Sequence, residues 1–91
     1  MPLVDGTAAV LMDVSAERER QRAKWTAAHA WGRGDCSSDG VDDTVKMAVL
    51  TEEVGEVARA LLDRKSDELR AELVQVASVA VAWVEALDAT A

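Results

Sequence analysis

Three glutamates stand close together in the segment Glu52-Glu53-Val54-Gly55-Glu56. On a helix, Glu52 and Glu56 are i,i+4 neighbours and Glu53 and Glu56 are i,i+3 neighbours, so the three carboxylates converge. Like charges at these spacings destabilise a helix by a few tenths of a kcal/mol per pair. No basic residue lies within the segment. A divalent cation would convert this repulsion into coordination, although a solvated acidic helix face is also consistent with the pattern.

A second pair of oxygen-bearing side chains follows in the next apolar segment. Glu72 and Gln75 are three residues apart, within a run rich in Leu, Val and Ala. Carboxylates in an apolar environment require hydrogen-bonding partners or a metal ion, because an unpaired buried charge is costly. The sequence therefore predicts one oxygen-lined site shared by two helices.

Three helices are predicted to position these residues. The first spans about Ser15 to Ala30 with a cap at Asp13 or Ser15, and its polar centre places it on the outside of the fold. Only a thin stripe containing Ala16 and Ala23 is predicted to face the core.

The second and third helices are predicted to form an antiparallel hairpin. Helix two spans about Asp43 to Asp63, with Asp42 or Asp43 as its cap, and helix three spans about Ser66 to Leu87. The connection through residues 64–66 is short, which favours antiparallel packing. Gly55 inside helix two costs roughly 1 kcal/mol relative to Ala, which suggests that another helix or a ligand approaches closely there.

The remaining segments are predicted to form a loop and a terminus. Residues 31–40 contain three of the five glycines, which predicts the main loop. Residues 1–14 are predicted to form a flexible N-terminus, and the whole chain, 1–91, to form a single all-α domain.

Helix three is also predicted to be a subunit interface. It is apolar on most of its circumference, and three helices in one subunit cannot enclose such a helix. A chain of 91 residues buries a small core, and association would supply the missing burial. We therefore expect a four-helix-bundle-like oligomer.

The charge balance restricts the partners of the chain. The formal net charge is -7, which argues against binding to nucleic acid or to an anionic membrane, because both need a basic surface. An acidic chain can still bind phosphates through divalent cations. The single cysteine, Cys36, and the absence of a signal-peptide pattern lead us to expect a cytoplasmic protein.

The two acidic motifs resemble those of MazG-like proteins, of the all-α NTP pyrophosphatase superfamily. That family carries Glu-Glu-x-x-Glu on one helix and Glu-x-x-Asp on the next. Glu52, Glu53 and Glu56 match the first motif, and Glu72 matches the Glu of the second. The flanking text in residues 46–51 and 71–77 is also similar, and the resemblance covers roughly Glu17 to Leu87.

One position departs from the family pattern. Gln75 stands where the family has Asp. A glutamine keeps a carbonyl oxygen that can bind a hard cation but lacks the negative charge, so weaker magnesium binding is expected, and one of two possible ions could be lost.

The resemblance implies an activity and a ligand set. The family cleaves nucleoside triphosphates to monophosphate and pyrophosphate with Mg²⁺, and Mn²⁺ is a possible substitute. The expected metal ligands are Glu52, Glu53, Glu56 and Glu72, with Gln75 as a neutral fifth, and Glu53 could instead orient the attacking water. The resemblance also implies a homodimer or homotetramer.

Several residues are candidates for binding the substrate. Lys46 and Arg59 could neutralise phosphate charge, and Trp25 and Trp31 could stack on a base. Each has an ordinary alternative, namely a surface or ion-pair role for the two cations and hydrophobic anchoring for the two tryptophans. His29, Cys36, Asp35 and Asp39 are predicted to be loop or turn residues without a catalytic role.

Two other functions stay open on the sequence alone. The chain could be a catalytically weakened metal or nucleotide binder, because Gln75 replaces the acid. It could also be an oligomeric interaction protein whose acids are only solvated.

Overall fold

The computed structural model describes residues 5–90, which form three long helices and a short β-hairpin. The elements are α1 (Gly6–Lys24), β1 (Ala28–His29), β2 (Gly32–Arg33), α2 (Asp43–Leu62) and α3 (Ser66–Thr90). The all-α prediction is confirmed, apart from the two short strands between α1 and α2.

Helix α1 begins nine residues before its predicted start. The Asp5 carboxylate accepts a hydrogen bond of 2.7 Å from the Ala8 amide and caps the helix, so the predicted caps at Asp13 and Ser15 are wrong. Residues 6–14, predicted to belong to a flexible terminus, form the first turns of α1. Residues 1–4 of that predicted terminus lie outside the described residues.

Helix α1 ends at Lys24, and not at Ala30 as predicted, because Trp25 leaves helical geometry with φ -107° and ψ 70°. The chain then forms an antiparallel hairpin that pairs Ala28 with Arg33 and His29 with Gly32. Gly32 has a φ of 145°, and a Cβ there would lie 2.2 Å from the carbonyl oxygen of Gly40. Only glycine fits this position, where the loop folds back on itself.

The predicted helical hairpin is confirmed. Asp42 caps α2 by accepting a 2.9 Å hydrogen bond from the Val45 amide. At the other end, Arg64 adopts a left-handed conformation with φ 55°, and the Lys65 amide donates to the Ala60 carbonyl oxygen at 3.0 Å. This pattern of hydrogen bonds terminates α2 and turns the chain into α3.

Helix α3 is the centre of the fold. Both α1 and α2 pack against α3, whereas α1 and α2 make no contact with each other in residues 5–90. A groove therefore opens between α1 and α2, with α3 as its floor.

The side chains that α3 buries are small. Ser78, Ala82 and Ala86 are buried, together with Val79. Their size allows the backbones of neighbouring helices to approach closely. Helix α1 packs through Val14 and Arg18, so the predicted core stripe with Ala16 and Ala23, both exposed, is wrong.

Gly55 does not mark a close approach within the chain. It is exposed, and a Cβ at this position would have nothing within 4 Å. The sequence-based prediction for this glycine is therefore wrong for contacts inside residues 5–90.

Larger apolar side chains stay exposed on the outer faces of the hairpin. On α2 they recur at seven-residue steps, at Met47, Val54 and Leu61. On α3 the exposed residues include Leu73, Val84 and Leu87. Residues at seven-residue steps share one helix face, so each helix presents a continuous apolar strip to solvent.

By length and composition alone, α3 could cross a membrane. It contains an 18-residue stretch of mean hydropathy 1.4, of which 22% is buried inside the protein. The core helix of a globular protein has the same properties, and α3 packs on two other helices. The absence of a membrane partner stays a prediction.

Candidate functional site

The groove between α1 and α2 contains a cavity of about 560 Å³. One wall comes from α2, the floor from α3, and the opposite wall from α1 and the loop that contains the β-hairpin. The cavity is lined by four hairpin glutamates, two side-chain amides and a group of basic and aromatic side chains. These residues include Glu52, Glu53, Glu56, Glu72, Gln21, Gln75, Arg20, Lys24, Trp25, His29 and Trp31.

The structure brings the four predicted glutamates to this one cavity. Glu52 and Glu53 lie on one turn of α2 and Glu56 on the next, and Glu72 lines the cavity from α3. The carboxyl groups of Glu53 and Glu72 are within hydrogen-bonding distance of each other. The helical periodicity of the first motif and the register of the hairpin together produce this arrangement.

None of these four glutamates forms a salt bridge in residues 5–90. Acids elsewhere in the protein do find basic partners, for example Asp13 with Arg70 at 2.7 Å and Glu19 with Arg22 at 3.0 Å. The glutamate cluster, defined here as Glu52, Glu53, Glu56 and Glu72, thus brings four carboxylates without a salt-bridge partner in residues 5–90 to one cavity.

This lack of compensation changes the acidity of one member. The pKa of Glu53 is raised from 4.5 to about 7, first because burial disfavours its charged form and then because Glu72 repels and hydrogen-bonds it. Glu52 and Glu56 add further repulsion. At neutral pH the Glu53 carboxyl therefore holds a proton for about half of the time.

The chemistry of the cluster fits a hard divalent cation, since all of its donors are carboxylate oxygens and none is neutralised by a base. As the side chains stand in residues 5–90, no three acidic, histidine or cysteine groups are positioned to hold a metal ion together. Rotation of the long glutamate side chains would be needed to bring their oxygens onto one ion.

The opposite wall is aromatic and carries charges of both signs, since Glu17 lines the cavity beside Arg20 and pairs with it. Trp25 and His29 make an edge-on contact with ring centroids 5.5 Å apart, and His29 and Trp31 lie 6.4 Å apart. The Lys24 ammonium lies 5.1 Å from the Trp25 ring centroid and forms no salt bridge in the described part of the chain. Both predicted tryptophans therefore line the cavity.

Two predicted phosphate-binding residues do not line the cavity. Lys46 is only 3% exposed, because it lies on the face of α2 that is covered by the rest of the protein. Arg59 is exposed one turn beyond Glu56, past the end of the cavity lining. The basic residues that line it are Arg20 and Lys24, which the sequence did not single out because the predicted helix one gave them no special position.

Next to the cavity, a second charged cluster is satisfied within the protein. Arg18, 2% exposed, donates to Asp35 at 2.7 Å and to Glu85 at 2.6 Å. Asp35 also accepts from the Ser37 amide, and these hydrogen bonds together with the Arg18 charge outweigh burial and hold the pKa of Asp35 below its usual value. The prediction that Asp35 is a turn residue is confirmed, since its backbone and side chain accept from Ser38 and Ser37, and its ion pair with Arg18 also anchors the loop to α1.

Gln75 lines the cavity as predicted, and its side-chain oxygen accepts a hydrogen bond within the protein. Gln75 Oε1 accepts a hydrogen bond from Gln21 Nε2 at 3.4 Å. Gln21 in turn accepts from Arg18 Nη1 at 2.7 Å. The amide is therefore connected to the Arg18 cluster.

Cys36 and His29 also line the cavity. His29 Nδ1 accepts from the Trp31 amide at 3.2 Å, so its Nε2 carries the hydrogen that is donated to the Gly34 carbonyl oxygen at 2.8 Å. Burial raises the pKa of the Cys36 thiol, which keeps it protonated at neutral pH. Both residues thus have the structural character predicted for them.

Comparisons with protein-family models, with curated protein sequences and with solved structures gave no significant match. The functional argument for this chain therefore rests on the cavity and on its residues.

Proposed function

We propose that this protein is a magnesium-dependent nucleoside triphosphate pyrophosphohydrolase that converts NTP or dNTP to the monophosphate and pyrophosphate. The observation that carries the proposal is the composition of the cavity. Four uncompensated glutamates face a wall that offers two tryptophans and two basic side chains, within about 560 Å³. This volume is in the range of small-molecule sites.

The charge of the cavity indicates how a triphosphate would enter it. The glutamate cluster alone would repel a polyphosphate. The substrate must therefore bind as a complex with divalent cations or bind to cations that the glutamates already hold. Magnesium, when bound, screens the phosphate charge and polarises the phosphoryl oxygens. Glu52, Glu56 and Glu72 are the residues that would hold it.

Glu53 is suited to accept the proton of the attacking water. A general base works best when its pKa is near the operating pH, and the pKa of Glu53 is about 7. Its carboxyl group lies near that of Glu72, where α2 and α3 both line the cavity.

The opposite wall supplies the rest of the binding site. Trp25 and Trp31 offer flat apolar surfaces on which a base can stack, a mode that tolerates many bases. Lys24 and Arg20 are close enough to the cavity to contact the phosphates. This pattern favours a broad, housecleaning specificity.

The experiment that tests this proposal is a panel of NTPs and dNTPs incubated with the protein and Mg²⁺, with products separated by ion-exchange chromatography. We expect nucleoside monophosphate and pyrophosphate in equal amounts, abolished by EDTA and by Glu56→Gln. Glu19→Gln, an exposed acid on α1 outside the cavity, is the matched control and should keep full activity. Diphosphate and free phosphate as products, or no turnover of any nucleotide, would contradict the proposal.

A binder without turnover is the second candidate, and a specific observation favours it. The acid that the family pattern places at position 75 is absent, and the amide that replaces it is hydrogen-bonded to Gln21. Binding of a magnesium nucleotide with no release of pyrophosphate would identify this alternative.

We further propose that the chain assembles as a homodimer through the apolar strips of α2 and α3, or as a homotetramer built from such dimers. Met47, Val54 and Leu61 share one face of α2, and none of them lines the cavity. Pairing two hairpins through these strips would give a four-helix bundle.

The mass of the chain in solution tests this assembly. Light scattering at micromolar concentration should give at least twice the mass of one chain. Val84→Glu should lower it to the monomer mass, because the change places a charge in the buried seam. Met12→Glu, at an equally exposed apolar position on α1, should leave the mass unchanged.

A further inference from the structure

A chain of two hydrogen bonds leads from a buried guanidinium to the wall of the cavity. It begins at Arg18, passes through the side-chain amide of Gln21, and ends at the side-chain amide of Gln75. We call this path the relay. Arg18, its first member, lies on α1 and also donates to Asp35 in the loop and to Glu85 on α3, so its guanidinium is held in place.

The polarity of the relay follows from the chemistry of its first member. A guanidinium has only hydrogen-bond donors, so the Gln21 atom 2.7 Å from Arg18 Nη1 must be the amide oxygen. The Gln21 amino group is then the end that faces Gln75. Because that group is a donor, the Gln75 atom that meets it at 3.4 Å must be the oxygen.

One consequence concerns the free end of Gln75. Gln75 lines the cavity, its Oε1 accepts from Gln21, and its Nε2 donates to no protein acceptor in residues 5–90. An amino group cannot coordinate a cation. Because Nε2 is the unpartnered polar atom of this side chain, whereas Oε1 already accepts one hydrogen bond, the relay favours a donor role for Gln75 over metal ligation.

We infer that Gln75 is a ligand-binding residue that donates a hydrogen bond from Nε2 to a phosphate oxygen of the substrate, and that Arg18 and Gln21 are the positioning residues that impose this orientation. The inference rests on the proposed function for the nature of the substrate. It removes Gln75 from the expected metal ligands, which leaves Glu52, Glu56 and Glu72, and it gives the neutral residue at position 75 a distinct task in substrate recognition.

Reversal of the relay is the sharpest test. In Gln21→Glu, one carboxylate oxygen still accepts from Arg18, and the other offers an acceptor to position 75. The side-chain amide of Gln75 should then flip, so that its amino group donates to the carboxylate introduced at position 21 and its oxygen faces the cavity. Gln21→Met has a similar length without polarity and is the matched control, since it removes the relay without reversing it.

Two titrations read the result without any need for turnover, namely calorimetry with Mg²⁺ alone and calorimetry with inorganic pyrophosphate in saturating Mg²⁺. For Gln21→Glu we expect roughly tenfold weaker pyrophosphate binding, the scale of one hydrogen bond to a charged group, and equal or tighter Mg²⁺ binding. Gln75→Glu should show the same two changes. Gln21→Met should give a smaller loss of pyrophosphate affinity and leave Mg²⁺ binding unchanged.

The side-chain amide signal of Gln75 in a ¹⁵N–¹H spectrum supplies a direct readout, assigned through its loss in Gln75→Glu. We expect this signal to shift when pyrophosphate is added to the magnesium-saturated protein and to stay in place when Mg²⁺ is added alone. A shift with Mg²⁺ alone, or unchanged pyrophosphate affinity in both Gln21→Glu and Gln75→Glu, would overturn the inference while the proposed function stands. A wild-type protein that binds neither Mg²⁺ nor pyrophosphate would overturn both.

Discussion

The protein contains two clusters of charge that lie side by side and differ in how they are neutralised. In the Arg18 cluster, a buried guanidinium meets Asp35 and Glu85 and uses most of its donors within the protein. In the glutamate cluster, no basic side chain of residues 5–90 forms a salt bridge with any member. The first cluster therefore has its charges paired within the protein, whereas the second is the cluster that we propose binds a cation from solution.

The two clusters should therefore respond to mutation in opposite ways. Removal of a charge from a complete cluster leaves its partners buried and unpaired, which destabilises the fold. Removal of a charge from a repelling cluster relieves the repulsion, and its cost appears only in ligand binding.

The largest effect is expected for Arg18→Ala. The change leaves Asp35 buried without its cation and should lower the free energy of unfolding by about 3 kcal/mol. Urea unfolding followed by circular dichroism measures it. Arg22→Ala is the matched control: this arginine is more exposed and pairs with Glu19 and Glu85 on the surface, so its loss should cost less than about 1 kcal/mol. Equal effects of the two changes would show that the Arg18 cluster has no special structural role.

The second effect is a dependence of stability on pH in metal-free buffer. Because the pKa of Glu53 is higher in the folded protein than its ordinary 4.5, the folded state binds more protons between pH 4.5 and about 7. The free energy of unfolding should therefore fall as the pH rises from 4.5 to about 7, by roughly 1–2 kcal/mol after allowance for solvent screening.

A comparison with Glu53→Gln isolates this effect. The variant should lose the decrease between pH 4.5 and 7 and should be the more stable protein at pH 7.5. Asp35 has a lowered pKa and acts with the opposite sign, since its stabilisation is lost only as the pH falls below about 4. An unchanged slope in Glu53→Gln would show that Glu53 is not the group that titrates.

A smaller effect on the free energy of unfolding is expected for Gly55→Ala, which provides a reference for the other substitutions on α2. The position is exposed with free space around it, so alanine should raise the free energy of unfolding by about 0.5–1 kcal/mol through its higher helix propensity. Thermal unfolding of the wild type and the variant measures the difference. A loss of stability together with a loss of the oligomer would indicate that a second subunit approaches this glycine.

The smallest change in stability is expected for Glu56→Gln, although its effect on binding is large. Without metal, the variant should be equal to the wild type or more stable by a few tenths of a kcal/mol, because one repelling charge is gone. Magnesium binding should weaken by at least tenfold. A marked loss of metal-free stability would show instead that Glu56 is a structural carboxylate.

The sequence predicts features that depend on local periodicity. The convergence of Glu52, Glu53 and Glu56 follows from the pitch of a helix, and the hairpin follows from its capping residue and its short turn. The start of α1 was predicted wrongly, since Asp5 caps the helix ahead of an apolar segment that resembled a loose terminus.

Features that depend on contacts between distant residues were not predictable. Arg18 meets a residue 17 positions away and another 67 positions away, and nothing in the local pattern marks it as buried. The same holds for Gln21 and Gln75, which are 54 residues apart. The aromatic wall of the cavity depends on a β-hairpin of only two residues per strand, which is too short to give an alternating pattern.

The measurement that tests the central claim most directly is a titration of the wild-type protein with MgCl₂. Calorimetry records the heat of binding, and thermal unfolding is measured at each Mg²⁺ concentration. NaCl at equal ionic strength is the control, since it screens the glutamates without coordinating to them. If the glutamate cluster is a cation site, Mg²⁺ should give saturable heat, and the unfolding temperature should rise with its concentration in the way that linkage requires. The absence of heat, with Mg²⁺ and NaCl raising the unfolding temperature equally, would contradict the account and leave the four glutamates as an acidic surface.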